Sequence, residues 1–302
     1  MLAVTALRFY YMNDNEYIRR LVSQGGPLQS EWGQFSDWIQ SIKVRYESGE
    51  LDQKNLVEIR AVFGEAFSES TMQGFAYKKP HGYAGDYEII DRIYNYYLSP
   101  QPHKKWDEYW QAHPAAQAVR NRKTYYQMIL DKTAARTETF SVLEIASGPG
   151  RSMHEWLNRN SEKNVTFVCI ELDKNAIHHS ETLNIAHADK IHMVHMNALK
   201  FRPEKEHELV WAAGIFDYFS DDTFVSLLSR LLLATKPSGE LVIGNFSRNN
   251  PSEAYMTLFD WKLNYRNADE LINLAVRAGA NPLNISVDKE ELGVNLFLRI
   301  IR

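Results

Sequence analysis

The sequence lacks the features that mark membrane, disulfide-rich and nucleic-acid-binding proteins. One cysteine, Cys169, leaves no partner for an internal disulfide and no thiol cluster for a metal, which fits a reducing cytoplasm. No apolar run approaches the ~20 residues of a membrane span. The net charge of −4 lacks the positive field that attracts nucleic acid or an anionic membrane. We expect a cytoplasmic protein with a small-molecule substrate, no nucleic-acid partner and no stable membrane association, while its oligomeric state stays open.

The length of the chain and its first residues fit a globular protein. With 302 residues about two domains are expected, and 44% hydrophobic residues is an ordinary globular composition. The opening segment, MLAVTALRFYYMNDNEY, has a short apolar start, but no basic region precedes it and no A-x-A cleavage site follows. We expect this segment to be part of the fold.

Residues 1–134 are predicted to form a helical cap. Turn signals at Gly25–Pro27 and Ser48–Glu50 separate the helical patterns, and a long amphipathic stretch from Lys105 to Ala135 closes this half. The apolar residues that recur at three- and four-residue steps are Leu21, Val22, Phe35, Trp38, Ile39, Ile42, Leu56, Ile59, Val62, Phe63 and Phe67.

Residues 135–302 alternate short apolar runs with helical periods, which predicts a parallel sheet covered by helices on both faces. Helices are expected from about Ser152, from Asn175 to Ile185, and after a cap at Asp221 or Asp222. The final segment, NISVDKEELGVNLFLRII, has no room for a helix and predicts a hairpin with an antiparallel last strand. The strands before it are FSVLEIA (Phe140–Ala146), VTFVCIEL (Val165–Leu172), HMVHMNAL (His192–Leu199), ELVWAAG (Glu208–Gly214) and, after a KPSG turn, ELVIGNF (Glu240–Phe246).

The turn after the first strand, ASGPGRS, has few large side chains, so its backbone can approach a ligand closely. Glu171 ends the second strand, 23 residues after Gly148, where doubly wound sheets bind a ribose diol. A dinucleotide fingerprint has a third small residue, but Met153 stands there. Glu144, inside the first strand, would repel a pyrophosphate and suits a cationic ligand. The Asn197-Ala198 pair after the third strand suits an adenine edge.

These motifs resemble the class I S-adenosylmethionine (SAM)-dependent methyltransferases over about residues 136–302. The resemblance implies a seven-stranded Rossmann-like sheet with an antiparallel last strand. It also implies that Glu144 orients the methionine amine of SAM, that Glu171 binds the ribose hydroxyls and that Asn197 binds the adenine amine. Ala146 replaces the usual glycine, so it needs a negative φ or some strain. The cofactor-binding residues implied are Glu144, Ala146, Ser147, Gly148, Gly150, Glu171, Asn197, Ala198 and Gly214.

A narrower resemblance concerns a bacterial subgroup of these enzymes. It includes the methyltransferase of 3-hydroxypalmitic acid methyl ester biosynthesis and, by overall plan, the azetidine-2-carboxylate synthases of secondary metabolism. The first implies methylation of a hydroxy-fatty-acid carboxylate. The second implies that the amine of SAM attacks its own γ-carbon and releases methylthioadenosine. The segments that carry the likeness are KKPHGYAGDYEIIDRIY (Lys78–Tyr94), AVRNR (Ala118–Arg122), GIFDYFSDD (Gly214–Asp222) and GNFSRNNPSEAYMTLFDWKLNYR (Gly244–Arg266).

Four residues are candidates for catalysis. GYAGDY is typical of a loop over a site mouth, where Tyr83 or Tyr87 can contact a sulfonium by a cation–π interaction and Asp86 lies between them. Asp217 and Tyr218 follow the fourth strand, and Asp217 is either a base for a hydroxyl acceptor or a helix cap. A carboxylate acceptor needs no base. The catalytic candidates are Tyr83, Asp86, Asp217 and Tyr218.

Substrate contacts are expected at the rim of the sheet and on the cap. The segment after the fifth strand, with Tyr255, Asp260, Trp261 and Tyr265, is read as a helix that lines either an acceptor pocket or the core. Arginines at 120 and 122 can pair with a carboxylate or lie on the surface. The substrate candidates are Tyr87, Arg120, Asn245, Phe246 and Tyr265.

No metal site is predicted. His192 and His195 are three apart on a strand and face opposite sides. The sequence therefore predicts a SAM-dependent O-methyltransferase that acts on a small carboxylate or hydroxyl substrate. The alternatives are a SAM-consuming cyclase that forms azetidine-2-carboxylate, in which SAM is itself the substrate, and a SAM-binding protein without turnover.

Overall fold

A computed structural model of the protein describes residues 14–302, so the opening segment expected to join the fold lies largely outside the described residues. The helices are α1 (Asp14–Ser23), α2 (Trp32–Glu47), α3 (Gln53–Val62), α4 (Met72–Lys78), α5 (Tyr87–Tyr94), α6 (Lys104–Ala112), α7 (Pro114–Arg136), α8 (Arg151–Arg159), α9 (Lys174–Leu183), α10 (Asp221–Leu233), α11 (Glu253–Leu258) and α12 (Ala268–Arg277). The strands are β1 (Thr139–Ile145), β2 (Asn164–Glu171), β3 (Ile191–His195), β4 (His207–Ala212), β5 (Thr235–Phe246), β6 (Ile285–Lys289) and β7 (Asn295–Ile301).

The described residues divide into two compact units, each built from several stretches of chain. The helical unit contains residues 14–85, Asn95–His113 and Ser252–Lys262. The sheet unit contains Asp86–Tyr94, Pro114–Pro251 and Leu263–Arg302. These units do not follow a single division at residue 134, and that predicted domain boundary stays a prediction.

The helical unit has an aromatic core. The apolar positions of α2 at Phe35, Trp38, Ile39 and Ile42 are all buried, as the spacing predicted. Tyr255 of α11 packs in this core, with its ring centroid 5.1 Å from that of Tyr109. Its hydroxyl donates a 2.8 Å hydrogen bond to Oε1 of the fully buried Gln73. This bond joins α11 to α4, although the two helices are far apart in the sequence.

The stretch from Lys105 to Ala135 forms two helices rather than one. It breaks at His113, which is extended (ψ 141), and Pro114 begins α7. A proline disfavours helical backbone at the residue before it and is well tolerated at the first helical position. The predicted amphipathic stretch is therefore divided into two helices at a position that the sequence itself marks.

The sheet unit contains a seven-stranded sheet in the order β3-β2-β1-β4-β5-β7-β6. Strands β1 to β5 pair in parallel, while β7 runs antiparallel to both β5 and β6. One face packs against Tyr126 of α7 and Trp156 of α8, and the other against Leu228 of α10 and Leu274 of α12. The predicted fold, including the final hairpin, is confirmed.

Three local predictions need correction. The third strand ends at His195, because Asn197 turns the chain by accepting a hydrogen bond from the Leu199 amide. KPSG lies inside β5 as an irregularity, with Ser238 at φ 64. Helix α10 is capped by Ser220, whose hydroxyl accepts from the Thr223 amide, rather than by Asp221 or Asp222. Among the described residues, no helix is long and apolar enough to cross a membrane.

Tyr255→Phe should lower the free energy of unfolding by about 1–2 kcal/mol, because the buried Gln73 oxygen loses its donor. Tyr46→Phe is the matched control, since the Tyr46 hydroxyl makes only a 3.4 Å bond to Gln53 near the surface. It should change stability by less than ~0.5 kcal/mol. Urea unfolding of both variants measures the difference, and equal midpoints would contradict the proposed role of this hydrogen bond.

Candidate cofactor and catalytic site

The turn between β1 and α8 places three residues in the left-handed region. Ala146 has φ 54, Gly148 φ 59 and Gly150 φ 69. Glycine adopts this conformation freely, but Ala146 pays a steric penalty of roughly 1–2 kcal/mol. The sequence left two alternatives for Ala146, a negative φ or some backbone strain, and its positive φ shows the strain. Its amide continues the sheet by donating to the Ile170 carbonyl at 2.8 Å, and Ser147 follows it, half-buried.

The two glycines of this turn serve different purposes. A Cβ on Gly150 would lie 2.2 Å from Ser180 Oγ and 3.0 Å from Asn184 Nδ2, so this glycine lets α8 begin against α9. A Cβ on Gly148 would meet no atom within 4 Å. Gly150 is therefore required by packing, whereas Gly148 has open space beside its backbone. A bare backbone facing open space is where a ligand can approach closely.

Glu171 binds this turn to the end of β2. One carboxylate oxygen, Oε2, accepts a 2.9 Å hydrogen bond from the Gly148 amide. The other, Oε1, accepts from the amides of Leu172 at 2.8 Å and Asp173 at 3.0 Å. Glu171 is 7% exposed. A carboxylate has about four lone-pair sites, so three amide bonds fix its position and leave acceptor capacity for a ligand hydroxyl.

Asn197 and Ala198 follow β3 at the same, carboxyl edge of the parallel strands. Asn197 is half-buried, and its Oδ1 accepts from the Leu199 amide at 2.8 Å, while Ala198 is buried. The oxygen of the Asn197 amide group is thus engaged in the local turn. An amide oxygen has two lone pairs, so Oδ1 can still accept from an adenine amine, and that expected contact stays a prediction.

Glu144 lies inside the sheet unit and is 4% exposed. It points to the face covered by α7, where Cys169 Sγ lies 3.6 Å from its Oε2. Burial raises the pKa of the Glu144 carboxyl to about 7, and the neighbouring Tyr126 and Cys169 oppose part of that rise. The expected contact of Glu144 with a methionine amine stays a prediction, and the described geometry places this side chain in the core.

Asp217 lies in the turn after β4 and is 3% exposed. Its Oδ1 accepts a 2.5 Å hydrogen bond from the Phe246 amide at the end of β5. Burial raises the pKa of the Asp217 carboxyl to about 6, against the effects of that amide and of Arg122 and Arg266. Asp217 therefore joins the ends of two neighbouring strands. It does not cap α10, because Ser220 does. Tyr218 follows it and is 38% exposed.

Arg122 of α7 lies at the end of β4. It is 6% exposed, and a Cβ on Gly214 would lie 3.4 Å from its Nη1 and 3.8 Å from Cζ and Nη2. Gly214 has φ 148. As a glycine it has no side chain that could cover the guanidinium. Of the two arginines of AVRNR, the sequence analysis names Arg120 as the substrate candidate. Arg120 Nη2 donates to Gln117 Oε1 on the same helix at 3.0 Å, and its expected contact with a substrate stays a prediction.

Two of the expected substrate residues are interior. Asn245 is fully buried, and its Nδ2 donates to the carbonyls of Phe246 and Asn264. Its Oδ1 accepts from Arg266 Nη1 at 2.9 Å, so its polar atoms are used within the sheet unit. Phe246 is 5% exposed. Sequence reasoning missed Arg266, which organises this region, since its role depends on partners up to 50 residues away.

Tyr265 lies outside any helix, and so do Asp260 and Trp261, because α11 ends at Leu258. The predicted helix over these residues was wrong. Tyr265 lines a polar cavity of about 400 Å³ in the sheet unit, together with Ser220, Asp221, Arg248, Leu263, Asn264, Arg266 and Glu270.

The GYAGDY segment divides between the two units. Tyr83 belongs to the helical unit and is 40% exposed. Asp86 begins the sheet-unit segment, and its Oδ1 accepts from the amides of Glu88 and Ile89 at 2.9 Å, as an N-cap of α5 does. Tyr87 packs against His179, with ring centroids 5.4 Å apart. The expected catalytic use of Asp86 stays a prediction beside this capping role.

An ion pair that the sequence reasoning missed connects α5 to the site turn. Both carboxylate oxygens of Asp91 accept from the guanidinium of Arg151, the first residue after Gly150. His179 Nε2 lies 3.6 Å from Asp91 Oδ2. The pair fixes the start of α8 and hence the turn before it. Among residues 14–302, no group of three or more histidine, cysteine or acidic side chains is arranged to bind a metal.

Comparison with known proteins supports a methyltransferase domain. Residues 142–239 match the family described as "Methyltransferase domain". No curated protein matches the chain. This match and the strand order support the class I SAM-dependent methyltransferase prediction, with SAM as the cofactor.

Solved structures share the fold at low identity. A possible exported protein from Bordetella parapertussis is 16% identical, with a TM-score of 0.66 over 97% of this chain and 98% of that one. A putative O-methyltransferase from Nostoc punctiforme is 15% identical, with a TM-score of 0.50 over 79% and 71%. The CMeT domain of the citrinin polyketide synthase is 12% identical, with a TM-score of 0.53 over 79% and 62%. At these identities the likeness shows the fold alone.

Alanine substitutions at the two glycines should have opposite signatures. Gly150→Ala should lower the free energy of unfolding by about 3 kcal/mol, because the added methyl clashes with Ser180. Gly148→Ala should cost only about 1–2 kcal/mol of backbone strain. It should, however, weaken SAM binding at least tenfold, since its methyl enters the open space. Denaturant unfolding and calorimetric titration measure the two effects, and a Gly148→Ala variant that binds SAM normally would contradict the assignment.

Glu144→Gln should change how stability depends on pH. Since the folded pKa of about 7 lies above the unfolded value of 4.5, the native protein loses stability as pH rises through that interval. Glutamine does not titrate, so the stability of the variant relative to wild type should increase from pH 4.5 to 7 by up to about 3 kcal/mol and then level off. Unfolding curves of wild type and variant are measured at the same pH. The effects of the other titrating groups then cancel in the difference between the two free energies of unfolding. A constant difference would show that Glu144 is not held in a desolvated site.

Proposed function

We propose that the protein is a SAM-dependent O-methyltransferase of a small carboxylate or hydroxyl compound. The observation that carries the proposal is the fixed carboxylate of Glu171 beside the open backbone of Gly148. Acidic residues at this place in a doubly wound sheet bind ribose hydroxyls. The methyltransferase match over residues 142–239 supports the same reading.

The residues of the turn fit a nucleoside that carries an amino acid. Glu171 has acceptor capacity left for a ribose hydroxyl, and Gly148 leaves room for close approach. Asn197 and Ala198 at the end of β3 offer an amide group and a small side chain to an adenine. When bound, SAM supplies an activated methyl group on a sulfonium. The chain itself contributes position and the exclusion of water.

The role of Asp217 depends on the acceptor. A hydroxyl acceptor must lose a proton, and Asp217, with a pKa of about 6, is ionised at neutral pH and can accept it. A carboxylate acceptor arrives ionised, so Asp217 would then only position groups around it. We favour an acceptor that carries a carboxylate, a hydroxyl or both, as a 3-hydroxy acid does. A cytoplasmic location and membership of the hydroxypalmitate subgroup stay predictions, and the oligomeric state stays open.

Product analysis tests the reaction. Purified protein is incubated with SAM alone and with SAM plus a panel of 3-hydroxycarboxylates of increasing chain length, with boiled protein as the control. We expect S-adenosylhomocysteine and a methyl ester or ether only when an acceptor is present. Methylthioadenosine and azetidine-2-carboxylate from SAM alone would replace this proposal with the cyclase. Tight SAM binding without any product would leave a binding protein.

Glu171→Gln should weaken SAM binding by at least tenfold, because the amide nitrogen cannot accept the bonds that the carboxylate accepts from backbone and ribose. Glu155→Gln is a control on the neighbouring α8, where the carboxylate pairs with Lys123. Calorimetric titration with SAM compares both with wild type. Unchanged affinity in Glu171→Gln would remove the observation on which the function is proposed.

A further inference from the structure

Arg122 is a buried cation whose guanidinium has no hydrogen-bond partner among residues 14–302. Its side chain is on α7 and is 6% exposed. Among residues 14–302, its guanidinium makes no hydrogen bond and no ion pair. Its charge lowers the pKa of the buried Asp217 carboxyl without forming an ion pair with it. A guanidinium has five donors, and a buried one normally has partners for them.

The other arginines of this region show the contrast. Arg266, 4% exposed, donates to Asp221 Oδ1, to Asn245 Oδ1 and to the carbonyls of Phe216 and Phe219. Arg120, two residues from Arg122, donates to Gln117. Each of these arginines has a structural reason for its place. Arg122 is buried but makes no hydrogen bond within the described part of the chain.

The position of Arg122 points to the candidate site. Its guanidinium lies over Gly214, directly after β4. Strand β4 pairs with β1 through Glu144 and Trp211, so the end of β4 adjoins the turn that holds Gly148. Because residue 214 is a glycine, it places no side chain against the guanidinium. The donors of Arg122 therefore lie at the edge where Glu171 and Gly148 offer the rest of the site.

We propose that Arg122 binds the carboxylate of a ligand at the carboxyl ends of β1 and β4. This inference rests on the proposed function and adds the anchor for an acid group. Two ligands present that chemistry there, namely the methionine moiety of SAM and a carboxylate acceptor. A planar guanidinium pairs with a carboxylate through two parallel hydrogen bonds, which lysine cannot reproduce.

The test uses Arg122→Met and Arg122→Lys, with Arg136→Met as the control, because Arg136 is an exposed arginine at the end of the same helix. Calorimetric titration compares SAM with decarboxylated SAM, which keeps the sulfonium and the amine. If Arg122 holds the SAM carboxylate, Arg122→Met weakens SAM at least tenfold, leaves decarboxylated SAM unchanged, and Arg122→Lys recovers only part of the loss. If Arg122 holds the acceptor, SAM binding is unchanged and KM for 3-hydroxyoctanoate rises at least tenfold while kcat changes little.

Stability separates these outcomes from a structural role. Arg122 makes no hydrogen bond among residues 14–302 and acts there only through its charge on Asp217, so Arg122→Met should change the unfolding midpoint little. A lowered midpoint with SAM and decarboxylated SAM weakened alike would overturn the proposal, as would normal binding and normal KM in every variant. Wild-type protein that binds no SAM would overturn the proposed function and this inference together. If the wild-type protein binds SAM and Arg122→Met changes neither SAM binding nor KM, the inference about Arg122 is overturned and the proposed function stands.

Discussion

The candidate site depends on the hydrogen bonds that three backbone amides donate to Glu171. They join the end of β2 to the Gly148 turn and to the start of the segment that leads into α9. Charged acceptors make stronger hydrogen bonds than neutral ones, so one carboxylate can fix two loops. The same group has acceptor capacity left over. The residue that organises the site is therefore also the one best placed to recognise a ligand.

The turn itself concentrates strain where close approach is needed. Gly150 is set by the packing of α8 on α9, while Ala146 adopts a left-handed backbone with a side chain that opposes it. Such strain persists only where the surroundings hold it. Here the amide of Ala146 is bound to Ile170, and Arg151 is bound to Asp91. The turn is thus fixed from both of its ends.

Sequence patterns predicted the features that are local or periodic. The change from helical to alternating apolar runs located the sheet, and Glu171 was recognisable because it ends a strand at a defined distance from the glycines. Roles that depend on distant partners could not be read. Asp86 caps α5 only because the helix begins at Tyr87, and Asn245 is interior because Arg266 reaches it from 21 residues away. Arg120 and Arg122 look alike in sequence, and only tertiary packing separates them.

The make-up of the helical unit has a consequence for synthesis on the ribosome. Its core includes Tyr255 and Phe259, which belong to a stretch that follows all five parallel strands. Residues 14–85 and 95–113 therefore emerge before Ser252–Lys262 and cannot complete their core until that stretch arrives. During that interval their aromatic surface is exposed, as in the partly folded states that aggregate or require chaperones. A fragment that ends near residue 134 would retain that exposed surface permanently, so the N-terminal half is a poor choice for separate expression.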